Sequence, residues 1–165
     1  MSERLFPPAL SALAGELQEI FTRHHLTLAS AESCTGGLIG GLLTSLPGSS
    51  GYYLGGVISY ANEAKERLLG VAPETLETVG AVSEETACAM VAGAKAALGS
   101  DYALSVTGIA GPGGGSESKP VGTVWIGLAT PEGSAARCFH FPGDREAVRL
   151  ATVEAALLWL RDEMK

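Results

Sequence analysis

Basic residues, histidine, cysteine and long apolar runs are all scarce in this chain of 165 residues. Lysine and arginine number 11 against 18 acidic residues, giving a formal charge of −7. Affinity for duplex nucleic acid comes mainly from cations that neutralise phosphates, so neither DNA nor RNA is an expected partner. No stretch approaches the ~18–20 uninterrupted apolar residues of a membrane span. The opening MSERLFPPALSAL carries two prolines and no charged-then-apolar signal layout, so a cytoplasmic protein with no membrane partner is expected. Cys34, Cys88 and Cys138 are odd in number and irregular in spacing, which argues against a disulfide framework or a zinc knuckle. His24 and His25 close a helix and His140 falls in a strand, so no Ser-His-Asp arrangement is visible.

What the chain does have is apolar residues, at 46%, and 22 glycines. That supports a substantial core with close packing and tight turns, within one domain over 1–165. Leu10, Leu13, Leu17, Ile20 and Phe21 recur at helical spacing and predict a helix over 9–24, started by prolines. Strands are predicted over Leu26–Ala31, Tyr52–Tyr60 and Tyr102–Thr107, the second with a bulge or a close backbone approach at Gly55-Gly56. Val121–Ala129 and Ala135–Phe141, joined by Pro131-Glu132-Gly133, read as a hairpin. Short helices are expected from Gly37 to about Leu46, over Glu63–Leu69 and over Pro73–Thr78. Longer ones follow, capped by Ser83 and Asp144. Helices interleaved with short apolar strands predict an α/β fold, a three-layer α/β/α sandwich with a mixed, mostly parallel sheet. Ligands in such sheets sit beyond the strand C-termini. The polar turns at 32–37, 60–65 and 107–119 would converge there.

Each turn carries candidate chemistry. Glu32 to Gly37 (ESCTGG) reads either as an anion or carbonyl cradle at a helix start, or as ordinary capping with Thr35 as the N-cap. It lacks the lysine of a phosphate-binding P-loop and the spacing of a dinucleotide motif. Cys34 reads as a small buried hydrophobe. In PGSSGYYLGGVISYANEAK (47–65) a serine pair precedes a strand and a lysine follows it. A serine hydroxyl needs a base, and Lys65 is the available one. If Asn62 caps the next helix, Lys65 lies in its first turn, where the positive end of the dipole lowers its pKa. Ser49 or Ser50 would then be the nucleophile, and Tyr60 would relay or orient the proton. The thirteen residues 107–119 are long for a connection and read as a mobile lid or binding loop. Arg145, in the first turn of the last helix, reads as a clamp on phosphate or carboxylate, or as a surface cation.

Seven blocks carry a family likeness: AESCTGG (31–37), PGSS (47–50), SYANEAK (59–65), GAVSEETA (80–87), TGIAGPGGG (107–115), KPVGTVW (119–125) and FPGDREAVR (141–149). In this order they resemble the CinA C-terminal-domain family, whose stand-alone members include nicotinamide mononucleotide deamidases. The sequence starts just before the first helix of that family, so a stand-alone form, without the molybdopterin-binding-like domain often fused upstream, is what the resemblance leads one to expect. The resemblance implies hydrolysis of the carboxamide of nicotinamide mononucleotide to nicotinic acid mononucleotide and ammonia, with no metal or cofactor. It implies a Ser/Lys mechanism in which Ser50 is the nucleophile, Lys65 the base and Tyr60 their partner. It places Thr107 and Arg145 on the substrate and implies a homodimer. Ser33, Thr35, Gly36 and Gly37 are expected to line the substrate site, and Glu32 to face the cationic pyridinium ring.

Overall fold

A computed structural model describes residues 5–165. The first four residues, part of the N-terminal stretch read above for a signal, lie outside the described residues. Helix α1 (Pro8–His24) begins on Pro7-Pro8 and buries Leu10, Leu13, Leu17 and Phe21 on one face. It ends at His25, in the left-handed region at φ 54. Strand β1 (Leu28–Glu32) is buried throughout and lies at the middle of the predominantly parallel half of the sheet. Its start is later than expected because Asp101 accepts both the Thr27 amide and its hydroxyl, each at 2.8 Å, which fixes Thr27 as a turn.

After β1 come α2 (Leu38–Thr44), a 3₁₀ turn (Ser49–Gly51), β2 (Tyr53–Ile58), α3 (Asn62–Leu69), α4 (Pro73–Thr78) and α5 (Glu84–Leu98). They are followed by β3 (Tyr102–Gly108), β4 (Thr123–Ala129), β5 (Ser134–His140) and α6 (Arg145–Glu163). The five strands are ordered β2-β1-β3-β4-β5. β1 is parallel to β2 and β3, while the β3–β4 and β4–β5 pairs are antiparallel, so only β4 runs against the rest. The expected bulge is present: the register of β2 on β1 skips Leu54, beside Gly55 at φ 144. The expected hairpin is β4–β5, and both predicted caps form: Ser83 Oγ accepts the Thr86 amide, and Asp144 accepts the Ala147 amide.

The sheet separates two cores, completing the α/β/α sandwich. Leu28, Leu104, Val106, Val124 and Ile126 pack with α1, α2 and α6. Ala29, Ala31, Ala103 and Ala129 face Met90, Val91 and Ala94 of α5 and Leu69 and Leu76 below it. Large residues point to one face and alanines to the other, so α5 lies very close to the sheet. A Cβ on Gly127 would come within 2.8 Å of the Ala87 carbonyl. No helix among the described residues is long and apolar enough to cross a membrane.

Candidate functional site

The connections leaving the C-terminal ends of β1, β2 and β3 meet, as parallel strands require. Between them lies a cavity of about 190 Å³ lined by Ser33, Cys34, Tyr60, Asn62, Lys65, Thr107 and Arg145, among others. Lys65 is its centre and is only 1% exposed. Its Nζ donates to Ser33 Oγ at 3.0 Å, to the Ser59 carbonyl at 2.8 Å and to the Tyr60 carbonyl at 3.3 Å. No carboxylate pairs with it among the described residues. Burial lowers its pKa, since water no longer solvates the ammonium. The direction is the one expected, but the cause is different. Ala61, not Asn62, is the N-cap of α3, and desolvation rather than the dipole is the dominant cause.

Burial acts against the charge, and the same three contacts also accommodate a neutral amine. A neutral lysine has two N–H groups for the two carbonyls and a lone pair for the Ser33 hydroxyl proton. Ser33 follows β1 directly and is 8% exposed; its amide donates to Val106 O at 3.0 Å, and its carbonyl accepts the Gly36 amide. The amides of Cys34, Thr35 and Gly37 donate to no other residue among those described, and of the three only Cys34 lines this cavity, where its amide can meet a developing oxyanion. Burial pushes the Cys34 thiol up to about 11, so this sulfur stays protonated and a poor nucleophile.

Ser50 is not brought to Lys65 within the chain. It lies exposed in the 3₁₀ turn at the start of β2, whereas Lys65 follows the end of β2. The six residues of that strand, at ~3.3 Å each, hold the two ends roughly 20 Å apart. The serine beside Lys65 is Ser33. Tyr60 is at the rim, 62% exposed, and its hydroxyl accepts from Arg145 Nη2 at 3.1 Å. Arg145 Nη1 donates to the Gly111 carbonyl at 2.8 Å, tying the glycine-rich loop to α6. That loop is also held by Lys119 Nζ donating to the Val79 carbonyl at 2.7 Å.

Thr107 lines the cavity, but its hydroxyl donates to the Ala81 carbonyl at 2.8 Å, which leaves it an acceptor for substrate rather than an oxyanion donor. Thr35 is fully buried and turned away, donating to Glu32 Oε1 at 2.6 Å; it neither caps α2, where Gly37 at φ 103 is the N-cap, nor lines the cavity. Gly36 and Gly37 line a second, larger cavity instead.

Glu32 corrects the expectation of an acid facing substrate. It is 2% exposed, and its carboxylate accepts the amides of Ile39 at 2.9 Å and Gly40 at 3.0 Å. A carboxylate from the preceding strand therefore satisfies orphan amides at the start of α2 and clamps the turn that carries Ser33. Sequence reasoning also missed Arg149, whose Nε and Nη2 donate to the Cys34 and Thr35 carbonyls at 3.2 and 2.9 Å. The available signal was its spacing, one helical turn after Arg145 on the same face. Among the described residues, no group of three or more His, Cys, Asp or Glu is placed to hold a metal ion.

The profile for the CinA C-terminal domain matches residues 10–164. A CinA-like protein of Geotalea daltonii is 57% identical over 145 residues, 88% of this chain and 35% of that protein. One of Geobacter metallireducens is 55% identical over 142 residues, 86% of this chain and 34% of the relative. The chain thus spans about a third of the length of these relatives. Among solved structures, competence/damage inducible protein CihA of Agrobacterium tumefaciens superposes with a TM-score of 0.96 at 43% identity, covering 99% of this chain and 100% of that one. A competence-damaged protein (CinA) superfamily protein of Escherichia coli gives 0.89 at 31% identity, covering 96% and 94%. The profile match over nearly the whole chain and these relatives place the protein in the CinA C-terminal domain family.

Proposed function

We propose that the protein is an amidohydrolase that converts nicotinamide mononucleotide to nicotinic acid mononucleotide and ammonia, with Ser33 as nucleophile and Lys65 as base. The observation that carries this reading is the 3.0 Å contact between a buried, carboxylate-free lysine and a serine at the end of a central strand. Neutral Lys65 takes the Ser33 proton as Oγ attacks the carboxamide carbon. The tetrahedral oxyanion is received by the free amide of Cys34, the residue of that turn beside Ser33 in the cavity wall, and one such donor is worth ~3–4 kcal/mol of barrier. Protonated Lys65 returns its proton to the departing ammonia, and water, deprotonated by the same amine, then clears the acyl-enzyme. Thr107 accepts from the carboxamide N–H. In this reading Arg145, which contacts Tyr60 and the glycine loop, receives the substrate phosphate.

Ammonia release from nicotinamide mononucleotide by purified protein tests the activity. If none is released, the alternative of a catalytically silent nucleotide-binding or partner-docking module takes over. Ser33→Ala and Lys65→Ala should each lower turnover at least ~10³-fold, and near-normal turnover in either would remove the dyad.

A second reading keeps Ser50 in the chemistry through a homodimer. β2 is an edge strand that exposes Leu54 and Ile58, and nearby Leu68 of α3 is also exposed. Antiparallel pairing of two such edges sets the start of one β2 against the end of the other, so a neighbouring copy would present its Ser50 beside Tyr60. Mixing Ser50→Ala with Lys65→Ala protein would then restore about a quarter of the activity, because half the dimers are mixed and each has one intact site. If Ser33 is the nucleophile, mixing Ser33→Ala with Lys65→Ala restores none.

A further inference from the structure

The small cavity is below the size of ordinary ligand pockets, which run from about 300 to 1,000 Å³. A second cavity of about 1100 Å³ lies on the other side of Arg145, the one residue that lines both among those described. Its wall is apolar at Phe6, Pro8, Leu38 and Leu150 and polar at Arg145, Arg149 and Glu146. The two arginines stand one turn apart on α6, where like charges oppose each other. Neither is paired with a carboxylate among the described residues, in a chain with 18 acidic side chains. Backbone carbonyls of Gly111, Cys34 and Thr35 and the Tyr60 hydroxyl orient the guanidinium groups and supply no formal negative charge. Arg149 Nη1 donates to nothing among the described residues. Two fixed, unneutralised guanidinium groups facing one cavity match a phosphate oxyanion, which arginine binds in a bidentate fashion.

We propose that the larger cavity binds a nucleoside 5′-phosphate unit, its phosphate held between Arg145 and Arg149 and its nucleoside against the Phe6–Leu38–Leu150 wall. The unit is either a free nucleotide or the distal half of a dinucleotide whose nicotinamide end enters the small cavity. The first source requires no turnover at Ser33; the second rests on the amidohydrolase reading. Binding is therefore measured directly, by calorimetry on the full chain.

AMP should bind at least about tenfold more tightly than adenosine or inorganic phosphate alone, because it fills both parts of the site. Arg149→Gln should weaken AMP at least about tenfold. That change also loosens the Cys34–Thr35 turn, so a second variant avoids it. At Gly41, on α2, an added Cβ would sit 3.5 Å from Phe6 and no backbone strain arises, so Gly41→Leu fits the helix and fills the apolar wall. It should weaken AMP and leave inorganic phosphate unchanged. A dinucleotide source is indicated if NAD binds more tightly than AMP and more tightly than nicotinamide mononucleotide. A free-nucleotide source is indicated if AMP binds and NAD binds no more tightly than AMP. AMP binding no tighter than inorganic phosphate, or AMP affinity unchanged in both Arg149→Gln and Gly41→Leu, overturns the proposal.

Discussion

Glu32→Gln is the most informative single change, because it removes one charge without altering shape. In the native protein Oε1 accepts Thr35 Oγ1 and the Ile39 amide, and Oε2 accepts the Gly40 amide. All three partners are donors, and a glutamine has only one acceptor oxygen. In one orientation its amide nitrogen opposes the Gly40 N–H; in the other it opposes Thr35 and Ile39. No flip rescues it, so at least one buried N–H faces a donor, which costs ~1–3 kcal/mol. Bonds that remain are no longer charge-assisted, and each loses roughly a further 0.5–1 kcal/mol. With two bonds remaining, the sum is ~2–5 kcal/mol. At ~2–4 °C per kcal/mol for a chain of this size, scanning calorimetry should show Tm falling by roughly 4–20 °C. The same clamp positions Ser33, so ammonia release measured well below the new Tm should fall about tenfold or more, with the loss in kcat rather than KM. A Tm within 1 °C of wild type together with unchanged kcat would refute the account of α2 and of the Ser33 turn.

The pH profile tests Lys65: kcat/KM should rise with pH as the amine deprotonates, with its inflection below the ordinary lysine value of ~10.4. A lowered folded pKa means that the unfolded chain binds more protons. Wild type should therefore gain stability relative to Lys65→Met as pH climbs from the lowered value towards the ordinary one, and a flat difference would contradict this. Gly93→Ala should destabilise the protein by ~2–4 kcal/mol and lower turnover, because its Cβ would fall on the Leu69 carbonyl and push away α3, which carries Lys65; unchanged denaturant midpoints would refute that packing. Cys34→Ser should keep turnover within about threefold, since a thiol held near 11 contributes no thiolate; a hundredfold loss would assign Cys34 a chemical role.

Periodicity and turn residues made the layers legible, because Leu10-Leu13-Leu17-Phe21 and the Ser83 and Asp144 caps are local signals that tertiary packing did not override. Strand ends moved by one or two residues, as at Thr27, which Asp101 holds. The convergence of three turns was also legible, since it follows from parallel strands alone. Pairing across it was not. Ser33 and Lys65 are 32 positions apart, and nothing in their spacing says which serine approaches the amine. Ser50 is closer in sequence, but β2 separates it from Lys65 along its whole length. Glu32 was misplaced for a related reason: facing ligand or facing α2 depends on a rotamer, not on sequence position.

That rotamer bears directly on the base. A buried lysine beside a carboxylate stays charged, because the ion pair offsets desolvation and raises the pKa. Glu32 is one residue before Ser33, the group Lys65 touches. Its oxygens are instead committed to the Thr35 hydroxyl and two α2 amides, which leaves the lysine facing only carbonyl oxygens and a hydroxyl. Desolvation then acts on the amine without opposition from a nearby carboxylate. The start of α2 thus serves the site twice: it fixes the turn that carries Ser33, and it engages a carboxylate that, turned towards the amine, would favour the charged form of Lys65.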